Sequence, residues 1–220
     1  MDNINSVLFN AKKYLINNSI NSANIDSEIL LSSVLKKSKN HLLLNSSIKI
    51  DEDKIDTFNK LVERRKKREP IAYILKQKDF WKSTFYVDRN VLIPRSDTEI
   101  LIEEILYNYN IKNQKLSVLD IGTGSGCIII SILKDRPNFK GTAIDVSRNA
   151  LNVAKYNAKM HQLENRIKFY KSSVDNFFKD KYDLVISNPP YINKFDLKYL
   201  ERDVIGFEPS LALEGGIDGF

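Results

Sequence analysis

From residue 116 onward the chain alternates short apolar, β-branched runs with stretches of helical periodicity, and this alternation restricts the fold more than any other feature. Leu116 to Ile121 reads as a strand, Ser125 to Asp135 as a helix and Gly141 to Val146 as a second strand. Ser147 then caps a helix carrying Ala150, Leu151, Ala154 and Ala158. Two more strands follow, Ile167 to Tyr170 and Tyr182 to Ser187. Strands separated by helices form a parallel sheet with right-handed crossovers, because parallel neighbours need a covering connection rather than a tight turn. In open sheets of this kind ligands bind beyond the carboxyl ends of the strands. Functional candidates are therefore sought in the loops that leave those ends.

Two such loops stand out. Asp120-Ile121-Gly122-Thr123-Gly124-Ser125-Gly126 joins the first strand to its helix. Its glycines permit a tight turn and close approach of a ligand to the backbone. It is not the strict dinucleotide fingerprint, whose third glycine would fall on Cys127. Asp145 ends the second strand, about 20 residues past the glycines, where a carboxylate can accept from both hydroxyls of a ribose. The second loop closes the run Asp183-Leu184-Val185-Ile186-Ser187-Asn188-Pro189-Pro190-Tyr191. Neither proline can donate to a sheet ladder, and each pushes the residue before it toward an extended backbone. The strand thus delivers a stiff, pre-shaped loop. The Asn188 side-chain oxygen and the Pro189 carbonyl are two acceptors able to orient a planar N–H₂ group, and Tyr191 can stack on it or face a cation.

Upstream the texture differs. Ile4, Val7, Leu8, Ala11, Tyr14 and Leu15 predict an amphipathic helix over 4–15. A second helix is expected over 26–36 with Asp26 as N-cap, a short apolar stretch at 42–44, and a third helix over 51–67. That helix has acidic residues at its start and the basic run Arg64-Arg65-Lys66-Lys67-Arg68 at its end, which suits the helix dipole; the run reads as a solvated helix end, with contact to nucleic acid or an acidic partner as the other option. Residues 1–72 are accordingly expected to form a small helical bundle. Aromatic and β-branched clusters around Phe80-Trp81, Phe85-Tyr86-Val87 and Val91-Leu92-Ile93 predict a β-hairpin linker over 73–96 turning at Asp88-Arg89-Asn90. The α/β unit then spans 97–220, opened by a helix from Asp97.

Composition narrows the classes. A net charge of +6 permits a nucleic-acid or acidic partner without requiring one. The single cysteine, Cys127, excludes an intrachain disulfide, and its neighbours Ile128 to Ile130 mark it as a packed core thiol. His41 and His161 lack a metal-ligand spacing, so no metal is expected. The first residues show no basic region followed by an apolar core, and no apolar run approaches the ~20 residues of a membrane span. The expectation is a cytoplasmic protein with no membrane partner.

A G-x-G-x-G loop preceded by an acidic strand end resembles the S-adenosylmethionine loop of class I methyltransferases, in which Asp120 would hold the cationic end of the cofactor. The wider pattern resembles the bacterial peptide chain release factor glutamine methyltransferases. It rests on Arg64-Arg65, Glu69-Pro70-Ile71-Ala72-Tyr73-Ile74, Phe80-Trp81, Leu92-Ile93-Pro94-Arg95, Asp97-Thr98-Glu99, Asn188 to Tyr191, Phe207-Glu208-Pro209, Leu211-Ala212-Leu213, Gly215-Gly216 and Asp218-Gly219. That resemblance implies an α/β, Rossmann-like methyltransferase sheet preceded by a helical substrate-recognition domain and a hairpin. It implies S-adenosyl-L-methionine as cofactor, held by Asp120, Gly122, Thr123, Gly124, Ser125, Gly126, Asp145, Ser173 and Asn188. The substrate it implies is the Gly-Gly-Gln glutamine of class I release factors, with Asn188 and Pro189 on the amide and Pro190 and Tyr191 flanking it.

Departures are Ser96 in place of proline, Arg68 in place of glycine, and Ser172-Ser173-Val174 where an acidic and an aromatic residue are usual. Four strands are expected where the family usually has seven, so the sheet is expected to be incomplete at its C-terminal side with the fourth strand as an exposed edge. Two other readings stay open: a nucleic-acid amino methyltransferase acting on adenine N6 or guanine N2, and a remnant that binds but does not turn over.

Overall fold

Asn3 starts the first helix, α1 (Ile4–Asn17), through a reciprocal cap: its side chain accepts from the Ser6 amide at 2.8 Å while Ser6 Oγ accepts from the Asn3 amide at 3.1 Å. The computed structural model describes residues 2–109 and 114–219. Ile4, Val7, Leu8, Ala11 and Leu15 form the buried stripe of α1. It packs with α2 (Ala23–Leu35), α3 (Lys39–Leu44), α4 (Glu52–Lys66) and α5 (Ile71–Leu75) around Leu30, Leu31, Leu42 and Phe58. This unit covers Met1–Leu75 and also includes a later segment, Arg202–Phe207.

Two expectations change here. Asp26 is not an N-cap: α2 begins three residues earlier, and Asp26 lies buried in its first turn. Its carboxylate accepts from Arg65 Nε and from Ser22 Oγ, both at 2.6 Å. Nor is the basic run a solvated helix end. Arg65 is buried and also donates to Asp203 at 2.6 Å and to the Glu69 carbonyl at 3.3 Å. Arg64 forms a two-pronged pair with Glu69, 2.8 Å on each prong, and Arg68 reaches Asp203 and the Ser19 carbonyl. All three arginines of the run, and Lys66 through the Tyr14 hydroxyl, are thus engaged within the bundle; a guanidinium fork satisfies several oxygens at once.

The second unit covers Lys76–Glu201 and Glu208–Phe220. It opens with an antiparallel hairpin of β1 (Lys78–Phe80) and β2 (Ser83–Phe85), with Phe80 opposite Ser83. The hairpin is shorter than expected and turns at Trp81 and Lys82. Trp81 has a left-handed φ of 53°, uncommon for a bulky residue. Two carboxylates hold it there: Glu99 accepts its amide and Asp135 its indole N–H, each at 2.9 Å. Asp88-Arg89-Asn90 does turn, with Asp88 Oδ1 accepting the Asn90 amide at 2.9 Å, but joins no strands.

A single 3-10 turn, Ser96–Thr98, leads into α6 (Glu99–Asn108). Then come β3 (Ser117–Ile121), α7 (Cys127–Asp135), β4 (Lys140–Asp145), α8 (Arg148–Met160), β5 (Ile167–Lys171) and β6 (Leu184–Ser187). The strands form a parallel sheet in the order β5-β4-β3-β6. Helix α7 is buried from Cys127 to Leu133, an apolar run broken by Ser131. Its isoleucines favour strands intrinsically, so tertiary packing sets its state. The sheet core combines Val118, Ile129, Ile130, Phe139, Ala143, Ala158 and Ile186 with Phe80 and Phe85 of the hairpin. Among the described residues no helix is long and apolar enough to cross a membrane.

Candidate active site

The chain runs from β3 outward to β4 and β5, then returns to place β6 on the other side of β3. The point where the direction reverses lies between β3 and β6, the position at which open sheets of this kind bind their ligands. Ile121 pairs with Ser187 at the carboxyl ends of these strands. The glycine loop and the Asn-Pro-Pro-Tyr loop therefore leave adjacent strand ends, roughly 4.8 Å apart at the backbone. Ser187 Oγ donates to the Ile121 carbonyl at 3.1 Å and ties the two departures together.

Within the first loop the glycines divide by environment. Gly122, Gly124 and Gly126 have φ of 70°, 54° and 80°, which favours glycine at all three. Beside Gly122 and Gly124 there is open space, whereas a Cβ on Gly126 would meet Ile130 Cδ1 at 3.0 Å and Ala154 Cβ at 3.3 Å. The first two leave a cradle; the third lets α7 sit on α8. Thr123 and Ser125 are buried. The Gly122 and Thr123 amides both bond the Ile144 carbonyl, at 2.9 and 3.0 Å, which folds the loop back over the end of β4.

Asp120 is only 1% exposed. Thr123 Oγ1 donates to its Oδ2 at 2.7 Å, but the buried Oδ1 has no hydrogen-bond partner among the described residues. Burial pushes its carboxyl up to about 7; the Thr123 hydroxyl opposes the shift and the charge of Asp145 adds to it. An acceptor left without a donor in a buried position is an arrangement that a bound donor or cation relieves. Asp145 accepts from the Gly124 amide at 3.0 Å through Oδ2 and from the Ser147 amide at 2.8 Å through Oδ1. Both bonds orient its carboxylate, and each oxygen keeps a further lone pair. Ser173 lies just past β5, where Asn176 Nδ2 donates to its Oγ at 2.9 Å. Cys127 is buried and its thiol is pushed up to about 12, chiefly by burial, so it is no nucleophile.

In the second loop Asn188 is half-buried and its Nδ2 donates to Thr98 Oγ1 at 3.2 Å. Tyr191 is 71% exposed. Behind it runs the segment from Glu208 to Gly219. Ile192 donates to the Leu213 carbonyl at 3.2 Å and accepts from the Gly215 amide at 2.8 Å. A Cβ on Gly215 would lie 2.7 Å from the Pro190 carbonyl oxygen and 2.9 Å from Tyr191 Cα, so only glycine allows this approach.

Several supporting residues were not singled out from sequence as site residues. Glu208 accepts from Arg95 at 2.6 Å and from the Ile93 amide at 3.1 Å. Asn157 on α8 is fully buried; it exchanges hydrogen bonds with the Tyr86 backbone at 2.8 and 2.9 Å and donates to the Ser125 carbonyl at 2.8 Å. One signal for Asn157 was available: a lone amide on the helix face of Ala150, Ala154 and Ala158.

Residues 96–203 match the methyltransferase small domain and residues 6–75 the PrmC N-terminal domain. The fold is therefore that of a class I, Rossmann-like methyltransferase preceded in sequence by a helical domain. A release factor glutamine methyltransferase of Buchnera aphidicola is 40% identical over 90% of this chain and 70% of its own length. One from Caulobacter vibrioides is 37% identical over 95% of this chain and 72% of its own length. The chain belongs to the release factor glutamine methyltransferase family. It is also 38% identical to the bifunctional methyltransferase of Rickettsia bellii, over 91% of this chain but 41% of that protein. The chain thus spans less than half the length of these bifunctional relatives.

Proposed function

We propose that this protein transfers a methyl group from S-adenosyl-L-methionine to the side-chain amide nitrogen of the Gly-Gly-Gln glutamine in class I peptide chain release factors. The observation that carries this reading is the pairing of the two loops at neighbouring strand ends in a chain of this family. The residues fit the cofactor on two counts: open space beside Gly122 and Gly124, and the donor-less Oδ1 of Asp120. Asp120, Gly122, Thr123, Gly124, Ser125, Gly126, Asp145 and Ser173 would hold it, with Asp145 on the ribose hydroxyls. When bound, the cofactor supplies an electrophilic methyl on a sulfonium.

The protein's task is alignment. An amide nitrogen is a poor nucleophile because its lone pair is delocalised. Asn188 Oδ1 and the Pro189 carbonyl would accept its two N–H bonds, orient it and favour the positive charge that develops on it. Pro190 holds that carbonyl's position and Tyr191 flanks the planar group. Alignment of this kind can supply about 7–11 kcal/mol, and fixed dipoles act without reorganisation. No titrating base is required, since the nitrogen becomes acidic once methylated. Engagement of Arg64, Arg65 and Arg68 within the bundle removes most of the basic run that favoured nucleic acid.

The test is transfer of labelled methyl from the cofactor to purified release factor, with RNA and DNA in parallel. Label in the release factor glutamine is expected; label in nucleic acid alone overturns the proposal. Asn188→Ala should lower transfer about 10²-fold or more with an unchanged circular dichroism spectrum.

A further inference from the structure

The Asn188 side chain has a partner in sequence-distant Thr98, and in the structure that contact takes up its nitrogen. A primary amide offers two N–H donors on one side and one oxygen on the other. Here Nδ2 is turned to Thr98 Oγ1 at 3.2 Å, which leaves Oδ1 facing the opposite way. A flipped amide would present donors where an amino group needs an acceptor.

Thr98 itself is held. It closes the 3-10 turn Ser96–Thr98, its amide bonding the Arg95 carbonyl at 3.1 Å. The Arg95 guanidinium is tied to Glu208, whose side chain is 1% exposed and whose second oxygen takes the Ile93 amide. Glu208 also begins the segment whose Leu213 and Gly215 bond Ile192, one residue past Tyr191. One buried carboxylate thereby anchors both the turn that carries Thr98 and the segment that backs the loop.

We propose that Thr98 is a positioning residue: its hydroxyl holds the Asn188 amide with Nδ2 spent and Oδ1 left to accept from the methyl-receiving N–H₂ group. It acts through Asn188 and needs no contact with the substrate. The inference rests on the transfer reaction proposed above for its catalytic consequence, but not for the contact itself.

Two arms separate these. In ¹⁵N-labelled protein the Asn188 side-chain N–H₂ signals are assigned by their loss in Asn188→Ala. Thr98→Val, nearly isosteric but without an acceptor, should shift those signals and speed their solvent exchange, while Thr98→Ser keeps them near their original positions. In steady-state transfer to release factor, Thr98→Val should lower kcat roughly 3- to 10-fold, the scale of one lost neutral hydrogen bond. KM for both substrates should hold, and Thr98→Ser should recover most of the rate. Unmoved Asn188 signals in Thr98→Val, or Thr98→Ser as impaired as Thr98→Val, overturns the proposal. If the unsubstituted protein labels no release factor, the function fails while the spectra still decide the contact. Should Thr98→Val misfold, Thr98→Ala is read in both arms by the same criteria.

Discussion

Arg65→Met probes the most buried ion pair of the helical unit among the described residues. The guanidinium sits between Asp26 and Asp203, and the three side chains are 8%, 7% and 18% exposed. The methionine keeps most of the apolar stem and removes the charge. Asp203 retains Arg68 at 3.4 Å, but among the described residues Asp26 is left with only the Ser22 hydroxyl at 2.6 Å. A surface pair lost in this way costs about 0–1 kcal/mol, whereas breaking a buried pair costs about 3–5 kcal/mol because a desolvated charge is stranded. The burial here selects the larger range. Native-state hydrogen exchange on peptides within Ala23–Leu35 and Glu52–Lys66 reads it locally. At about 1.4 kcal/mol per decade, exchange should quicken roughly 10²- to 10⁴-fold. Adding Asp26→Leu should recover much of the loss, since a buried pair replaced by apolar groups is often near neutral. The two substitutions should therefore be strongly non-additive. A change under about 1 kcal/mol for Arg65→Met, or additive losses in the double variant, would refute a buried, load-sharing pair.

Three further outcomes follow from the sheet unit. Asp120 keeps its proton up to about 7 in the folded chain but releases it near 3.8 when unfolded. Over that window the folded state binds more protons, so its contribution is full below about pH 4 and declines as pH rises through 7. Asp120→Asn should abolish this slope in urea midpoints measured from pH 4 to 8; a constant offset between the proteins would contradict it. Conversely, if a cationic ligand group meets Oδ1, affinity for S-adenosylhomocysteine should rise through pH 7 in the unsubstituted protein and stay flat in Asp120→Asn. Gly215→Ala places a methyl 2.7 Å from the Pro190 carbonyl oxygen, a backbone atom that cannot swing aside. Transfer should fall at least about tenfold through a displaced loop, while calorimetric cofactor binding stays unchanged; full activity would show that the loop does not depend on this approach.

The parts legible from sequence were those written as local pattern. Ile4, Val7, Leu8 and Ala11 announce their helix by spacing, and the strand–helix alternation announces the parallel sheet. The glycine and double-proline loops are visible because their residues restrict or free the backbone where they stand. The misplaced features are non-local. Asp26 resembles an N-cap until Arg65, 39 residues on, claims its carboxylate. The hairpin turn moves to Trp81 because Glu99 and Asp135, 18 and 54 residues away, satisfy its N–H groups. Locally, Asp88-Arg89-Asn90 is the better turn. Pairings between Arg95 and Glu208 or Thr98 and Asn188, 113 and 90 residues apart, have no periodicity through which a single sequence could disclose them.

This separates two properties of the Asn-Pro-Pro-Tyr loop. Its prolines set the shape of the backbone by restricting φ at their own positions and ψ just before them. Shape alone does not set location, and Pro189 and Tyr191 lie exposed, with little packing to hold them. Location comes from main-chain bonds of Ile192 to Leu213 and Gly215 and of Lys194 to Gly216, and from the Thr98 contact on the other side. A rigid loop in the wrong place would lose the alignment on which the proposed transfer relies. The residues that place it therefore belong to the candidate site as much as the four that name it.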